Sequence, residues 1–363
     1  MNPLSSLARY VDIRLSRSLH RPPKSLPILL LWVTGKCNLA CQMCGDQWRA
    51  EQNAKQQTLS FEDIENLVAS ANRLHTLVIS ITGGEPLLRP DIFQILKLIK
   101  DAGIAANICT NGTLLNEERV QKLTNTSLQS ISVSLDSSDA VIHDTLRGKT
   151  GAFHSTVEGV KLLRKALPEL SININCTISR KNFREMKEMI LLAAELGCNK
   201  ISFAPIHTNL QHQHRPEEQF DDLIFTEEDL KELKFEIVKS KKLAADKGIR
   251  TSSDVFLSSI TNFYHEPLRW HDCYAGYASC AVSPWGEVSP CVDLPSDLNL
   301  HDKSLDTIWH SADFQQLRNK VDSCTNRCWD TTNAEIAIRF TTAGLFGELK
   351  TLLREYKTYS SLK

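Results

Sequence analysis

Between residues 26 and 248 the apolar positions switch repeatedly between two rhythms. Short runs dense in Val, Ile and Leu, such as "LPILLLWVT", "TLVISIT" and "SININCTI", are each followed by a longer run with apolar residues at helical spacing. Those longer runs include "SFEDIENLVASANRLH", "PDIFQILKLIKDAG" and "NFREMKEMILLAAELG". Three more pairs, opening with "AANICT", "SISVSLD" and "KISFAPI", complete six strand–helix units without an internal sequence repeat. The strands read as nearly continuous apolar runs, the pattern of a parallel sheet covered on both faces. Gly103, Gly197 and Gly248 each close an amphipathic run, where helices commonly stop. The fold class is therefore α/β, as a doubly wound sheet or an open, partial barrel. In either, ligands bind at the carboxyl ends of the strands.

The polar and glycine-rich positions gather at those ends. Cys37, Cys41 and Cys44 follow the first strand, and Gly83, Gly84, Glu85 and Pro86 follow the second. Thr110 and Asn111 follow the third. Ser134 and Asp136 end the fourth strand, Asn175 ends the fifth, and His207 follows the sixth. Six segments thus bring polar chemistry to one rim.

Charge and targeting signals narrow the picture. Lys+Arg 42 against Asp+Glu 43 gives no reason to expect nucleic acid or an acidic partner. The residues after Met1 are polar, and the apolar run at 26–33 is too short to span a bilayer, so a cytoplasmic protein is expected. In that setting 11 cysteines point to metal or redox chemistry rather than disulfides. Cys109, Cys176 and Cys198 stand alone and read as small buried apolar residues. The others form two groups.

For the triplet Cys37, Cys41 and Cys44, a disulfide would leave an odd thiol. A structural zinc ion would need a fourth ligand from far along the chain. An iron–sulfur cluster on three thiolates would keep one iron open. Spacing alone leaves zinc and cluster both standing. C-x-x-x-C-x-x-C followed by Gly83-Gly84-Glu85-Pro86, however, resembles the radical S-adenosylmethionine (radical SAM) superfamily. The resemblance runs on through "TNGTLL", "SVSLDSSDAVIHDTLRGKTGAF" and "INCTISRKNF", covering most of residues 28–210. It implies a partial (β/α)6 barrel, a 4Fe-4S cluster on the three cysteines, and S-adenosyl-L-methionine on the open iron. It further implies an enzyme that reductively cleaves S-adenosylmethionine to a 5′-deoxyadenosyl radical and abstracts a hydrogen atom from an unactivated C–H bond. Its electron donor would be a protein such as flavodoxin or ferredoxin. Gly83 and Gly84 let backbone approach the methionyl ammonium. The resemblance also implies that Glu85 and Pro86 shape that turn, a helix N-terminal carboxylate being the plain alternative for Glu85, and that Met43 stands by the adenine. Thr110, Asn111, Ser134 and Asn175 match places that meet the methionyl carboxylate or ribose in relatives, with a strand-end polar cap the equal alternative for each. Arg147 is a weaker candidate, with a surface arginine as the plain alternative.

The second group, in "CYAGYASCAVSPWGEVSPC" and "CTNRCWD", resembles the SPASM/Twitch extension of the same superfamily, which holds an auxiliary iron–sulfur cluster. Cys273, Cys291, Cys324 and Cys328 are the expected ligands, zinc being the rival occupant. Cys280, on the strand leading into a Trp-Gly hairpin tip, reads as a buried hydrophobe. The later cysteines of the full SPASM pattern are missing, so a single cluster of the Twitch kind is expected.

The resulting division is 1–27, a basic amphipathic segment; 28–250, the barrel; 251–335, the cluster extension; and 336–363, an amphipathic helix. Leu4, Leu7, Val11 and Leu15 form one stripe, and Leu345, Leu349, Leu352 and Tyr356 another. Packing on the barrel is the expected fate of both, with peripheral contact to an anionic membrane the alternative. His207, His212 and His214 are expected in a solvated loop or lid rather than a metal site. With 27 residues ahead of the first strand, a sugar, small metabolite or lipid-linked substrate is expected before a ribosomal peptide. Oxidation, epimerisation or bond formation would follow. A non-catalytic iron–sulfur or zinc module is the other class, and the intact Gly-Gly-Glu-Pro segment speaks against it.

Overall fold

The structure, a computed structural model, describes residues 3–45, 50–51, 53–126, 128–207, 221–266, 268–269 and 271–341. Six strands form in chain order: β1 (Ile28–Trp32), β2 (Val78–Thr82), β3 (Ala105–Thr110), β4 (Ser130–Ser134), β5 (Ser171–Ile178) and β6 (Lys200–Pro205). Each is parallel to the next. On the free side of β1, β7 (Ser279–Val282) pairs in parallel, with Leu29 opposite Cys280. β8 (Val288–Ser289) then returns antiparallel to β7. The sheet order is β6-β5-β4-β3-β2-β1-β7-β8, so the open, partial barrel is the alternative that forms. The expected hairpin lies at the barrel's own edge, with Gly286 at φ 87° between its strands.

The strands differ from expectation in one respect that matters for function. Only their outer face is continuously apolar: Leu29, Ile79, Ile108, Ile131, Ile172 and Ile201 are fully buried beneath the helices. The alternating, half-buried positions face inward and are mixed: β1 presents Ile28, Leu30 and Trp32, and the other strands carry Ser80, Thr82, Cys109, Ser134, Asn175 and Thr177.

The helices are set by local signals. Ser60 and Asp63 form a reciprocal capping box at the start of the helix Phe61–Arg73, and Thr226 and Asp229 do the same for Glu227–Asp246. Short helices at Ala140–Arg147, Asp254–Ser258 and Ile260–His265 were not expected from the periodicity.

The N-terminal helix Pro3–Ser18 packs with a face other than its leucine stripe. Ile13 and Ser16 are buried, Ile13 in a cluster with Tyr274, Tyr277 and Ala337. Tyr10 stacks on Phe340 at 5.0 Å. Leu7, Val11 and Leu15 face outward, 58%, 44% and 49% exposed. The expectation that this stripe packs on the barrel therefore fails for those three. Arg17 and Tyr277 hold the other face through Asp322, by an ion pair and a hydrogen bond. Among the described residues no helix is long and apolar enough to cross a membrane. The side chain of Leu4, the stripe Leu345–Tyr356, and His212 and His214 lie outside the described residues.

Candidate active site

Cys37, Cys41 and Cys44 line a cavity of about 270 Å³ at the carboxyl ends of β2–β5. Among the described residues no three His, Cys, Asp or Glu side chains come together as a single metal ion requires. Three thiols on one cavity wall are a soft donor set that fits an iron–sulfur cluster. Burial pushes the Cys37 thiol up, so an electropositive occupant is needed to hold it as thiolate.

The cysteine loop is clamped by β2's glycines. Gly84 N donates to Thr34 O and Glu85 N to Lys36 O, both at 2.8 Å. A Cβ on Gly84 would collide with Lys36 O, and Gly83 sits at φ 145° against Thr34. These glycines therefore serve the close approach of two loops, while the remaining face of each lines the cavity.

Glu85 is wholly buried beneath this turn and does not line the cavity. It accepts from Leu87 N at 3.0 Å, from the Thr110 hydroxyl at 2.7 Å and from Asn111 N at 2.7 Å. Burial raises its pKa, and these donors oppose the rise. Pro86 opens the short 3-10 turn Pro86–Leu88 above it. Thr110 and Asn111 line the cavity, but their polar groups already have partners. Asn111 Nδ2 donates to Asn38 Oδ1 at 2.9 Å and lies 4.0 Å from the Cys37 sulfur. Ser134 and Met43 also line it. From β5, the lining residue is Thr177; Asn175 sits lower in the lumen, in register with Ser134.

Arg147 proves to be an interior residue. Its Nε pairs with Asp136 Oδ2 at 2.7 Å and its NH1 lies 3.9 Å from the Cys41 sulfur. Burial lowers its pKa, but the Asp136 carboxylate and the Cys41 sulfur outweigh this and raise it. Asp136 is fully buried, so each charge compensates the other. His143 Nδ1 accepts from Asp136 N at 3.2 Å, and burial pushes its pKa down to about 4. Sequence reasoning missed this pairing because Asp136 and Arg147 are joined only when the helix Ala140–Arg147 folds back over the strand end.

Cys273, Cys291, Cys324 and Cys328 line a second cavity with Arg269, His271 and Asp293. Burial pushes up the Cys273, Cys291 and Cys328 thiols. Arg318, also fully buried, ties the surrounding segments together: Nε donates to Gly276 O at 2.6 Å and NH2 to Trp309 O at 2.7 Å. Its guanidinium lies 4.5 Å from the Trp309 ring centroid. Trp329 stacks on Phe256 at 5.3 Å and donates to Phe256 O. Cys280 lies elsewhere, on β7 in the main apolar core, and burial pushes it up to about 12.

Between the two cysteine cavities lies a chamber of about 300 Å³. Met43 and Thr177 are shared with the first cavity, and Cys291, Asp293 and Asn333 with the second. Trp32, Ile206 and His207 form part of its wall. Trp32 and Ile206 could have been suspected from the inward period of β1 and the end of β6. Asp293 and Asp330 carry no such signal.

Comparison with known proteins agrees with this architecture. Residues 33–193 match the model of the radical SAM superfamily, and residues 273–330 match SPASM, an iron–sulfur cluster-binding domain. The chain is 30% identical over 308 residues to an AdoMet-dependent heme synthase of Methanosarcina barkeri, covering 80% of this chain and 85% of that one. It is 26% identical over 318 residues to a PqqA peptide cyclase of Gluconobacter oxydans, covering 86% and 83%. In three dimensions it is similar to Streptococcus suis SuiB bound to the precursor peptide SuiA. That match has a TM-score of 0.64 and 18% identity, and covers 87% of this chain and 72% of that one. A radical SAM site requires a 4Fe-4S cluster and S-adenosylmethionine, and a SPASM domain requires auxiliary iron–sulfur. The chain belongs to the radical SAM superfamily, as an enzyme bearing a SPASM-type iron–sulfur extension.

Proposed function

We propose that this enzyme modifies a polypeptide, removing a hydrogen atom from a side chain seated in the chamber between the two cysteine cavities. The sugar or lipid-linked substrate expected first on the sequence gives way to the peptide reading held second. Named relatives include peptide cyclases and maturases as well as heme synthases. The observation that carries the reading is the chamber itself. It offers about 300 Å³, at the low end of ligand-pocket sizes, suited to a side chain or two.

When bound, the cluster and S-adenosylmethionine supply one-electron chemistry that breaks a strong C–H bond. The chain's own contribution is positional. Cys37, Cys41 and Cys44 would hold the first cluster, and Cys273, Cys291, Cys324 and Cys328 the second. Glu85, Thr110 and Asn111 fix the cysteine loop. Gly83, Gly84, Met43 and Ser134 would leave room for, and contact, the sulfonium cofactor. Met43 and Thr177, common to both spaces, would hold substrate against it while Trp32 and Ile206 exclude water.

A second reading, action on a tetrapyrrole, is favoured by the 30% identity to a heme synthase. One experiment separates them. The reconstituted enzyme is given deuterated peptide libraries and, separately, deuterated carboxylated porphyrins. Deuterium transferred into 5′-deoxyadenosine from peptide supports the proposal; transfer from porphyrin alone overturns it.

A further inference from the structure

We propose that the chamber selects a positively charged side chain, a lysine or arginine of the peptide, and that Asp293 and Asp330 recognise it. The inference rests on the peptide reading above and adds the chemistry of the residue that enters.

Most of the chamber wall is apolar, with Leu30, Trp32, Met43, Pro205 and Ile206 among its lining residues. Its only carboxylates among the described lining residues are Asp293 and Asp330, and none of those residues is a lysine or arginine. The neighbouring cavities carry arginines: Arg147, paired with Asp136, in the first, and Arg269 beside the second cysteine group.

Both carboxylates lie at the auxiliary end. Asp293 Oδ2 is 3.8 Å from the Cys328 sulfur. Asp330 Oδ1 accepts from the backbone N–H groups of Thr332 and Asn333 at 2.7 and 2.6 Å, and its Oδ2 accepts from Asn333 Nδ2 at 3.1 Å. These bonds orient the carboxylate rather than neutralise it. In a wall of low polarizability the field of the two carboxylates is weakly screened, so a cation is drawn in and a carboxylate is repelled.

The chamber's volume and lining suit a long basic side chain. Its methylene stem can lie along Trp32, Met43 and Ile206, while the charged head reaches the two aspartates. The stem then passes Met43 and Thr177, which are shared with the cavity of the first cysteine group. A basic residue thus brings its own or a neighbouring C–H bond to the reacting end.

The test is a cycle of two enzymes and two peptides. A peptide consumed from the library is resynthesised with lysine, norleucine or glutamate at the position next to the modified residue. The ratio of kcat/KM for lysine over norleucine is measured in the wild type, Asp293→Asn and Asp330→Asn. The wild type is expected to favour lysine about tenfold or more, and each variant to shrink that ratio several-fold. General damage to the chamber or cluster lowers both peptides together and leaves the ratio unchanged. An unchanged ratio in both variants overturns the proposal, as does a wild type that accepts glutamate as well as lysine. Turnover of a porphyrin with no peptide consumed removes the peptide reading beneath it.

Discussion

Cys37, Cys41 and Cys44 sit in a single loop, whereas Cys273, Cys291, Cys324 and Cys328 are drawn from separate segments after β6. The first loop is held by backbone bonds from its neighbour β2 and by Asn111, all within the barrel. The second group depends on long-range packing. Arg17 donates to Cys273 O, Arg269 to Val321 O, and Arg318 bridges Gly276 and Trp309. Three thiols line a cavity of about 270 Å³ beside the glycine turn, whereas four line the second cavity.

The contrast breaks most visibly by removing thiols. Cys37→Ala, Cys41→Ala and Cys44→Ala are each expected to abolish 5′-deoxyadenosine formation from S-adenosylmethionine under dithionite. Cys273→Ala and Cys328→Ala should lose the second cluster's iron yet leave that cleavage measurable. Cys280→Ala should keep the full iron content, and equal iron loss from it would place it among the ligands.

A smaller but sharper effect concerns packing. Arg318→Met removes a buried cation that serves two carbonyls, at a cost of about 3 kcal/mol. Iron should leave the second site first during mild denaturation, as followed by electron paramagnetic resonance. Simultaneous loss from both sites would mean that the two regions are one cooperative unit.

The smallest effect lies on the first region and depends on pH. The folded pKa of His143 is about 4, below its ordinary 6.5, so the unfolded chain binds the extra proton first. Stability is therefore lost as pH falls from about 6.5 toward 4, by about 2 kcal/mol between pH 7 and 5. Urea midpoints at the two pH values should show this, and His143→Gln should flatten the difference.

Much of this was legible because it is local. The six strand–helix units, the cysteine triplet and the Gly-Gly-Glu-Pro turn all depend on neighbours in sequence. The polar lumen was also written there, as the strict alternation in "SISVS" and "SININCT", but was read as a continuous apolar run. Thr177 was passed over for Asn175 because β5 continues beyond it to Ile178. Arg147 stands in the sequence only as a weaker candidate, with a surface arginine the alternative, because nothing near it announces that its partner is Asp136; the structure places it in the first cavity's wall. The leucine stripe at the N-terminus was expected to pack, but the aromatic residues Tyr274 and Phe340 bind the helix through Tyr10 and its neighbours instead.

By itself the chain determined which residue types stand at the strand ends, and so which chemistry is available: short-range periodicity and spacing carry that information. Only the tertiary structure decided that the hairpin Ser279–Ser289 joins the edge of β1, that four distant thiols share one cavity, and that two aspartates face the chamber between the sites. Those outcomes depend on packing between segments far apart along the chain, and periodicity in a sequence window does not encode which distant surfaces will meet.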